Sequence, residues 1–218
     1  MKHKVLYMKQ TDIKDDLASI RNLMERSSKF ISLSGLSGVL AGVYALIGAG
    51  YAYKLLYTGS SRTSYYFAEA VSIAEIMATQ IGLLVYIAFA VLLASITTGI
   101  VLSYKKAQRK GQSILNSTSK QLLFHMLTPL LAGGILMLIL LTRGYFGIIA
   151  PASLIFYGLA LVSASNFTFT DVKYLGLLEI LLGLISALYP GYGLYFWAIG
   201  FGVLHIIYGS VMYFKYDR

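Results

Sequence analysis

The sequence predicts an all-α membrane protein: a bundle of six transmembrane helices behind a cytoplasmic amphipathic N-terminal helix. Three observations carry this reading. Apolar residues make up 57% of the 218 residues and charged ones only 12%, whereas a soluble domain is roughly a quarter charged. Mean hydropathy is +0.70. Apolar runs of about 20 residues, the length that crosses a bilayer as a helix, recur along the rest of the chain.

The first 30 residues form a polar, cytoplasmic segment. They are too long and too acidic for the n-region of a signal peptide, so no cleavage is expected. Thr11 or Asp12 can cap a helix, and Ile13, Leu17, Ile20 and Met24 then recur at helical spacing, with Leu23 beside them. Such a helix lies on the inner membrane surface or against the bundle. Its functional alternative is to dock a cytoplasmic protein.

Residues 31–218 form the six-span domain, with spans at about 31–53, 79–103, 122–142, 146–168, 174–190 and 192–213. Between the first two, "GSSR" is a turn. "YYFAEAVSIAEIMATQ" reads as a helix feeding the second span, with Glu69 and Glu75 on its polar side. The loop "KKAQRKGQSILNSTSKQ" is basic and carries no phosphate-binding pattern. No span shows a break at mid-membrane.

The loops set the direction. With the N-terminus inside, the outer segments hold only Lys54, Arg62 and Arg143 of the 18 Lys and Arg residues. The positive-inside rule then places both termini in the cytoplasm. Tyr51, Tyr53, Tyr57, Tyr65, Tyr66, Tyr192, Tyr195 and the lone Trp197 gather at the outer ends, as an interfacial aromatic belt does.

Several function classes drop out. There is no cysteine, hence no disulfide framework and no thiolate metal site. His3, His125 and His205 show no metal-ligand spacing. No cofactor is expected. The net charge of +9 marks cytoplasmic loops that contact anionic lipid, so the bilayer is the expected partner and nucleic acid is not.

A repeat is legible in part. "GLSGVLAGVYALIGAGY" (Gly35–Tyr51) aligns without gaps to "GLLEILLGLISALYPGY" (Gly176–Tyr192), with Gly35/Gly176, Leu36/Leu177, Gly42/Gly183 and Tyr51/Tyr192 among the matches. "GIVLSYK" and "GSVMYFK" end the following helices alike. The pattern suits a duplicated helical hairpin.

One carboxylate, Glu179, stands inside an apolar run. The stripe Gly176, Glu179, Gly183, Ser186, Pro190 puts it on the small-residue face of its helix, which in lipid is the face that meets other helices. The next helix offers Ala198, Gly202, His205 and Gly209. Counting outward from the "PGYG" turn, Glu179 and His205 each lie about 19 Å along a helix, at one depth in the cytoplasmic half. Ser34, Ser37, Thr97, Thr98, His125, Thr128, Ser163, Ser165 and Asn166 gather at similar depth. The expected site is therefore an inner polar cluster, opening to the cytoplasm, built from Glu179, His205, His125, Asn166 and Ser37. An intramembrane charge is costly and usually tied to a pathway or site. Such a pair suits a proton, a cation or a small polar ligand. It equally suits a static lock between helices.

Binding or transport of a small molecule or ion is the leading functional expectation. A membrane-embedded regulatory or scaffold subunit is the alternative, and a membrane enzyme a lesser one. "GLSG" (Gly35–Gly38) looks like the GxSG of rhomboid proteases, and Ser37 comes out at a depth comparable to His205, which makes a serine–histidine dyad conceivable. In rhomboids, however, the serine lies in a later span and opens toward the other membrane face. Six short spans make a narrow bundle, so a homo-oligomer is also expected. "RSSKFISLSGLSGVLAGVYALIGAG" and "FWAIGFGVLHIIYGSVMYFKY" resemble a family of small six-span bacterial membrane proteins with no assigned activity. That resemblance implies a multi-pass fold in the bacterial cytoplasmic membrane and carries over no functional residue.

Overall fold

A computed structural model of the chain describes residues 34–58, 73–109 and 117–217. The amphipathic helix expected within residues 1–30, and with it the docking surface for a cytoplasmic protein, lies outside these residues. So do the start of the feeding helix expected before the second span and the middle of the basic loop, residues 110–116.

Every regular element among the described residues is helical. Helix α1 spans Gly35–Tyr53 and continues as a π-helical turn over Lys54–Thr58. Helix α2 runs over Ile73–Arg109, beyond both ends of its apolar run. Helix α3 covers Ser117–Thr142 and carries Pro129 inside it. A 3-10 turn at Phe146–Ile148 leads into α4, Ile149–Ala164. Helix α5 is Asp171–Leu188. The last rod, α6, covers Gly193–Asp217. It is α-helical over Gly193–Trp197 and His205–Met212 and π-helical over Ala198–Leu204 and Tyr213–Asp217. This uneven winding is a departure from the unbroken span expected of the sequence.

Among the described residues, five helices are long and apolar enough to cross a membrane: α1, α2, α3, α4 with its leading 3-10 turn, and α6. Helix α5 is apolar as well, but its 18 residues include Asp171, Lys173 and Glu179. The first two sit at its start, where they can leave the hydrocarbon. Glu179 cannot.

Local chemistry explains the joints. After α3, Gly144 takes φ +80. The Gly144 N–H donates to the Leu141 carbonyl (3.2 Å) and the Tyr145 N–H to the Leu140 carbonyl (2.9 Å), the paired bonds of a glycine-terminated helix. After α5, Pro190 and Gly191 (φ +93) reverse the chain. Pro151 falls in the first turn of α4, where a missing N–H costs nothing.

The helices pack through small residues, as expected where lipid gives no hydrophobic drive to association. A Cβ on Gly158 of α4 would lie 2.5 Å from the Gly176 carbonyl oxygen of α5, and one on Gly176 would lie 2.7 Å from that of Gly158. A Cβ on Gly42 of α1 would meet the Gly202 carbonyl of α6 at 2.6 Å. Packing therefore runs α2–α1–α6 on one side and α3–α4–α5 on the other, and the start of α6 rests on α4 and α5 to join them. Helix α2 packs chiefly on α1 and exposes Leu83, Tyr86, Phe89, Leu93 and Ile100 along its length.

Candidate functional site: a buried carboxylate between three helices

Helix α5 buries Gly176, Glu179, Gly183 and Ser186 along one face. The glycines bring α4 close, and Glu179 enters the space left between α4, α5 and α6. It has no exposed surface at all.

The π-helical stretch of α6 shapes the other wall. Its wider turn sets the ring of His205 back toward Gly200, five residues earlier, and Nδ1 lies 3.0 Å from the Gly200 carbonyl oxygen. A carbonyl only accepts, so Nδ1 carries a hydrogen and donates it. On the far side of the ring, Nε2 is 2.7 Å from the hydroxyl of Tyr157 on α4. In the neutral ring, Nε2 accepts from the Tyr157 O–H. His205 is thus fully bonded as an uncharged imidazole. π-Bulges of this kind are frequent at functional sites.

Glu179 Oε1 lies 3.5 Å from His205 Nδ1. Neither carboxylate oxygen receives a hydrogen bond from a described group. Gly200 makes the room: a Cβ there would sit 2.5 Å from Glu179 Oε2 and 2.5 Å from Leu154 Cδ2. Higher on the same face, the Ser186 hydroxyl is also buried without a bonded partner among the described residues.

The other residues expected at the site do not join this group. Ser37 donates to the Ser34 carbonyl (2.6 Å) in its own helix start. With both His205 nitrogens engaged by Tyr157 and Gly200, the serine–histidine pairing does not form. His125 is exposed at the start of α3 and stacks on Phe167, centroids 4.8 Å apart. Asn166 is exposed as well and donates to the Ser163 carbonyl (3.3 Å). The carboxyl group is enclosed on all sides, so the open inner cluster expected of the sequence resolves into a closed group and separate exposed residues. An open apolar groove of about 260 Å³ lies elsewhere, between α1 and α2, and is lined by Tyr44, Ile47, Tyr51, Tyr86 and Val91.

Two ion pairs bind the helix ends below the site. Asp217, at the end of α6, accepts from the Gly35 N–H (2.8 Å) and the Ser34 hydroxyl (3.1 Å) and pairs with Lys106 of α2. An anion at the first turn of α1 complements the helix dipole there. Asp171, at the start of α5, accepts from Lys215 (2.8 Å) and from the Tyr216 hydroxyl (2.7 Å). The Lys215 hydrogen bond holds the Asp171 carboxyl below its ordinary range, with partial burial opposing and Tyr216 assisting.

Sequence reasoning missed Tyr157, Gly200 and both ion pairs. Tyr157 carries the one usable signal: a hydroxyl at the middle of an apolar span. No family model, curated protein or solved structure matches the chain.

Proposed function

We propose that this is an integral membrane protein of a bacterial cytoplasmic membrane which binds a proton at Glu179 and links it to the binding or movement of a small polar solute or ion. The observation that supports this reading is the Glu179 carboxyl group, wholly buried and bonded by no described donor. An ionised carboxylate left so would cost several kcal/mol. A bound proton removes that charge. A metal ion would need more ligands: calcium takes 6–8 oxygens, and the described residues hold no cluster of three acidic or histidine side chains.

The neighbours fit the task. Glu179 and His205 together have two forms of equal net charge, acid beside imidazole and carboxylate beside imidazolium. Tyr157 serves both, because its hydroxyl donates to Nε2 in the first and accepts from it in the second. Neither form places a net charge in hydrocarbon; in the second, the added proton sits on Nε2 and faces Tyr157, because Nδ1 already donates to Gly200. The positive-inside bias would put the end bearing Asp171, Lys215 and Asp217 in the cytoplasm.

A hairpin duplication is part of the proposal. Gly35 and Gly42 of α1 meet Gly209 and Gly202 of α6, while Gly176 and Gly183 of α5 meet Gly158 and Pro151 of α4. The duplication equates α1 with α5 and α2 with α6, whose ends "GIVLSYK" and "GSVMYFK" match.

The test is flux in proteoliposomes under an imposed pH gradient, across a panel of small solutes and ions. Wild-type protein should couple proton movement to at least one of them, and folded Glu179→Gln should not. Equal coupling by the variant would remove Glu179 from the function.

A further inference from the structure

Glu179 and His205 lie on the seam between the two sides of the bundle, and that seam is built unlike the contacts within each side. Within a side, glycines bring backbones together: Gly42 of α1 meets Gly202 of α6, and Gly158 of α4 meets Gly176 of α5. Across the seam, close approach comes from the first part of α6, where Gly193 meets Ala150 and Gly200 meets Leu154 and Glu179. Farther along α6, His205–Met212 packs on α1 and meets α4 and α5 through side chains. We infer that this part of the seam is a gate to Glu179, hinged at the start of α6 and latched at its far end by Lys215 and Tyr216 on Asp171. This rests on the reading of Glu179 as a proton site and adds to it the end from which the site opens.

Three observations carry the inference. First, an apolar plug separates the site from the charged end. On α5, Leu175 and Val172 stand four and seven residues before Glu179, and on α6, Met212 stands seven after His205, about 10 Å of helix. They form one buried cluster with Leu161 and Phe169. Apolar contact is non-directional, so such a plug can part and re-form.

Second, the last turn of α6, Tyr213–Asp217, is tied to both sides. Asp217 holds α1 and α2 through the Gly35 N–H (2.8 Å), the Ser34 hydroxyl (3.1 Å) and Lys106. Lys215 and Tyr216 hold α5, both reaching one oxygen of Asp171, at 2.8 and 2.7 Å. The same residues cap the plug. The Tyr216 and Phe169 ring centroids are 4.1 Å apart, and Lys106 Nζ stands 5.7 Å over the Phe169 ring.

Third, the two ties are unequal. The Lys106 and Asp217 side chains are 12% and 10% exposed, those of Lys215 and Asp171 52% and 25%. An exposed pair is weak and screened by salt, whereas a buried one is costly to break. The tie to α5 therefore releases first, and α6 stays with α1 and α2. The two sides then part along the seam that holds Glu179.

The chain has no cysteine, so one introduced thiol reports alone. The experiment measures how fast a charged methanethiosulfonate reagent modifies Leu175→Cys in the full-length protein, held in phosphatidylcholine–phosphatidylglycerol nanodiscs open to reagent on both faces. Leu175 is buried, so modification needs an opened plug. Adding Lys215→Gln and Tyr216→Phe removes an ion pair and a charge-assisted hydrogen bond, and should raise the rate roughly tenfold or more. Asp171→Asn should act in the same sense, and serves alone if the first variant does not fold. The thiol of Ala52→Cys, buried 17 residues along α1 from Gly35, should keep its rate. An unchanged rate at Leu175→Cys in the latch variants would overturn the gate. So would an equal rise at both thiols, which marks general loosening. The readout involves no proton, so either result leaves the reading of Glu179 to the flux test.

Discussion

Glu179 Oε1 lies 3.5 Å from His205 Nδ1, yet that nitrogen is already committed to the Gly200 carbonyl at 3.0 Å. The carboxyl group is adjacent to a base without being bonded to it. A static lock would be expected to satisfy both partners, since a half-satisfied buried pair is worse than an apolar contact. On the proposed reading, the unbonded carboxyl group is one whose proton count changes.

Glu179→Gln keeps the volume of the side chain and removes its titration. If the acid is protonated in the resting protein, thermal unfolding in detergent should shift by about 1 kcal/mol or less. Loss of proton uptake should accompany this. A destabilisation above about 3 kcal/mol would instead indicate that a buried ion pair had been broken.

Gly200→Ala tests the room made for the carboxylate. Its methyl group would meet Glu179 Oε2 and Leu154 Cδ2, each at 2.5 Å. Overpacking of this kind costs about 1–3 kcal/mol. Because the clash is shared with Glu179, the double variant Gly200→Ala/Glu179→Ala should be more stable than the sum of the single changes implies, and a double-mutant cycle in thermal unfolding measures that coupling.

Tyr157→Phe removes the hydrogen bond at His205 Nε2. Leaving that buried nitrogen unpaired should cost about 1–3 kcal/mol, read by chemical or thermal unfolding. The nitrogen chemical shifts of the ring should move with it, and the Nδ1–Gly200 bond should persist.

The Asp171–Lys215 pair gives a pH dependence whose sign is fixed. The folded protein holds the Asp171 carboxyl below its ordinary range, chiefly through the Lys215 hydrogen bond. The unfolded chain binds that proton more readily, so the contribution is present above about pH 4, the ordinary aspartate value. It is lost as pH falls through the lowered folded value. The effect should be small, because the Lys215 side chain is 52% exposed. Asp171→Asn should flatten the acid side of the melting-temperature profile and leave the neutral side unaltered in slope.

Part of the bundle and of the site is legible in the residues alone. The apolar runs mark the helices, and counting outward from "PGYG" puts Glu179 and His205 at one depth, where they lie 3.5 Å apart. The small-residue face of α5 follows from its spacing. The rest depends on contacts that spacing does not encode. Tyr157 belongs to a different hairpin, and tyrosine in a membrane protein ordinarily marks the interface. The π-helical turn arises where Gly200 and Gly202 let α1 and Glu179 approach, a matter of packing between helices. Asp217 reaches Gly35 and Lys106 across most of the chain's length. Counting along the helices puts His125 and Asn166 at a depth similar to that of Glu179, but both are exposed, which such a count does not reveal.

The most direct measurement is the infrared difference spectrum between low and high pH, recorded on wild-type protein and Glu179→Gln in lipid vesicles. A protonated carboxylic acid band that titrates in the wild type and is missing from the variant is the predicted result. Identical spectra, with no band belonging to Glu179, would contradict the account and leave the buried carboxylate a structural feature of the bundle.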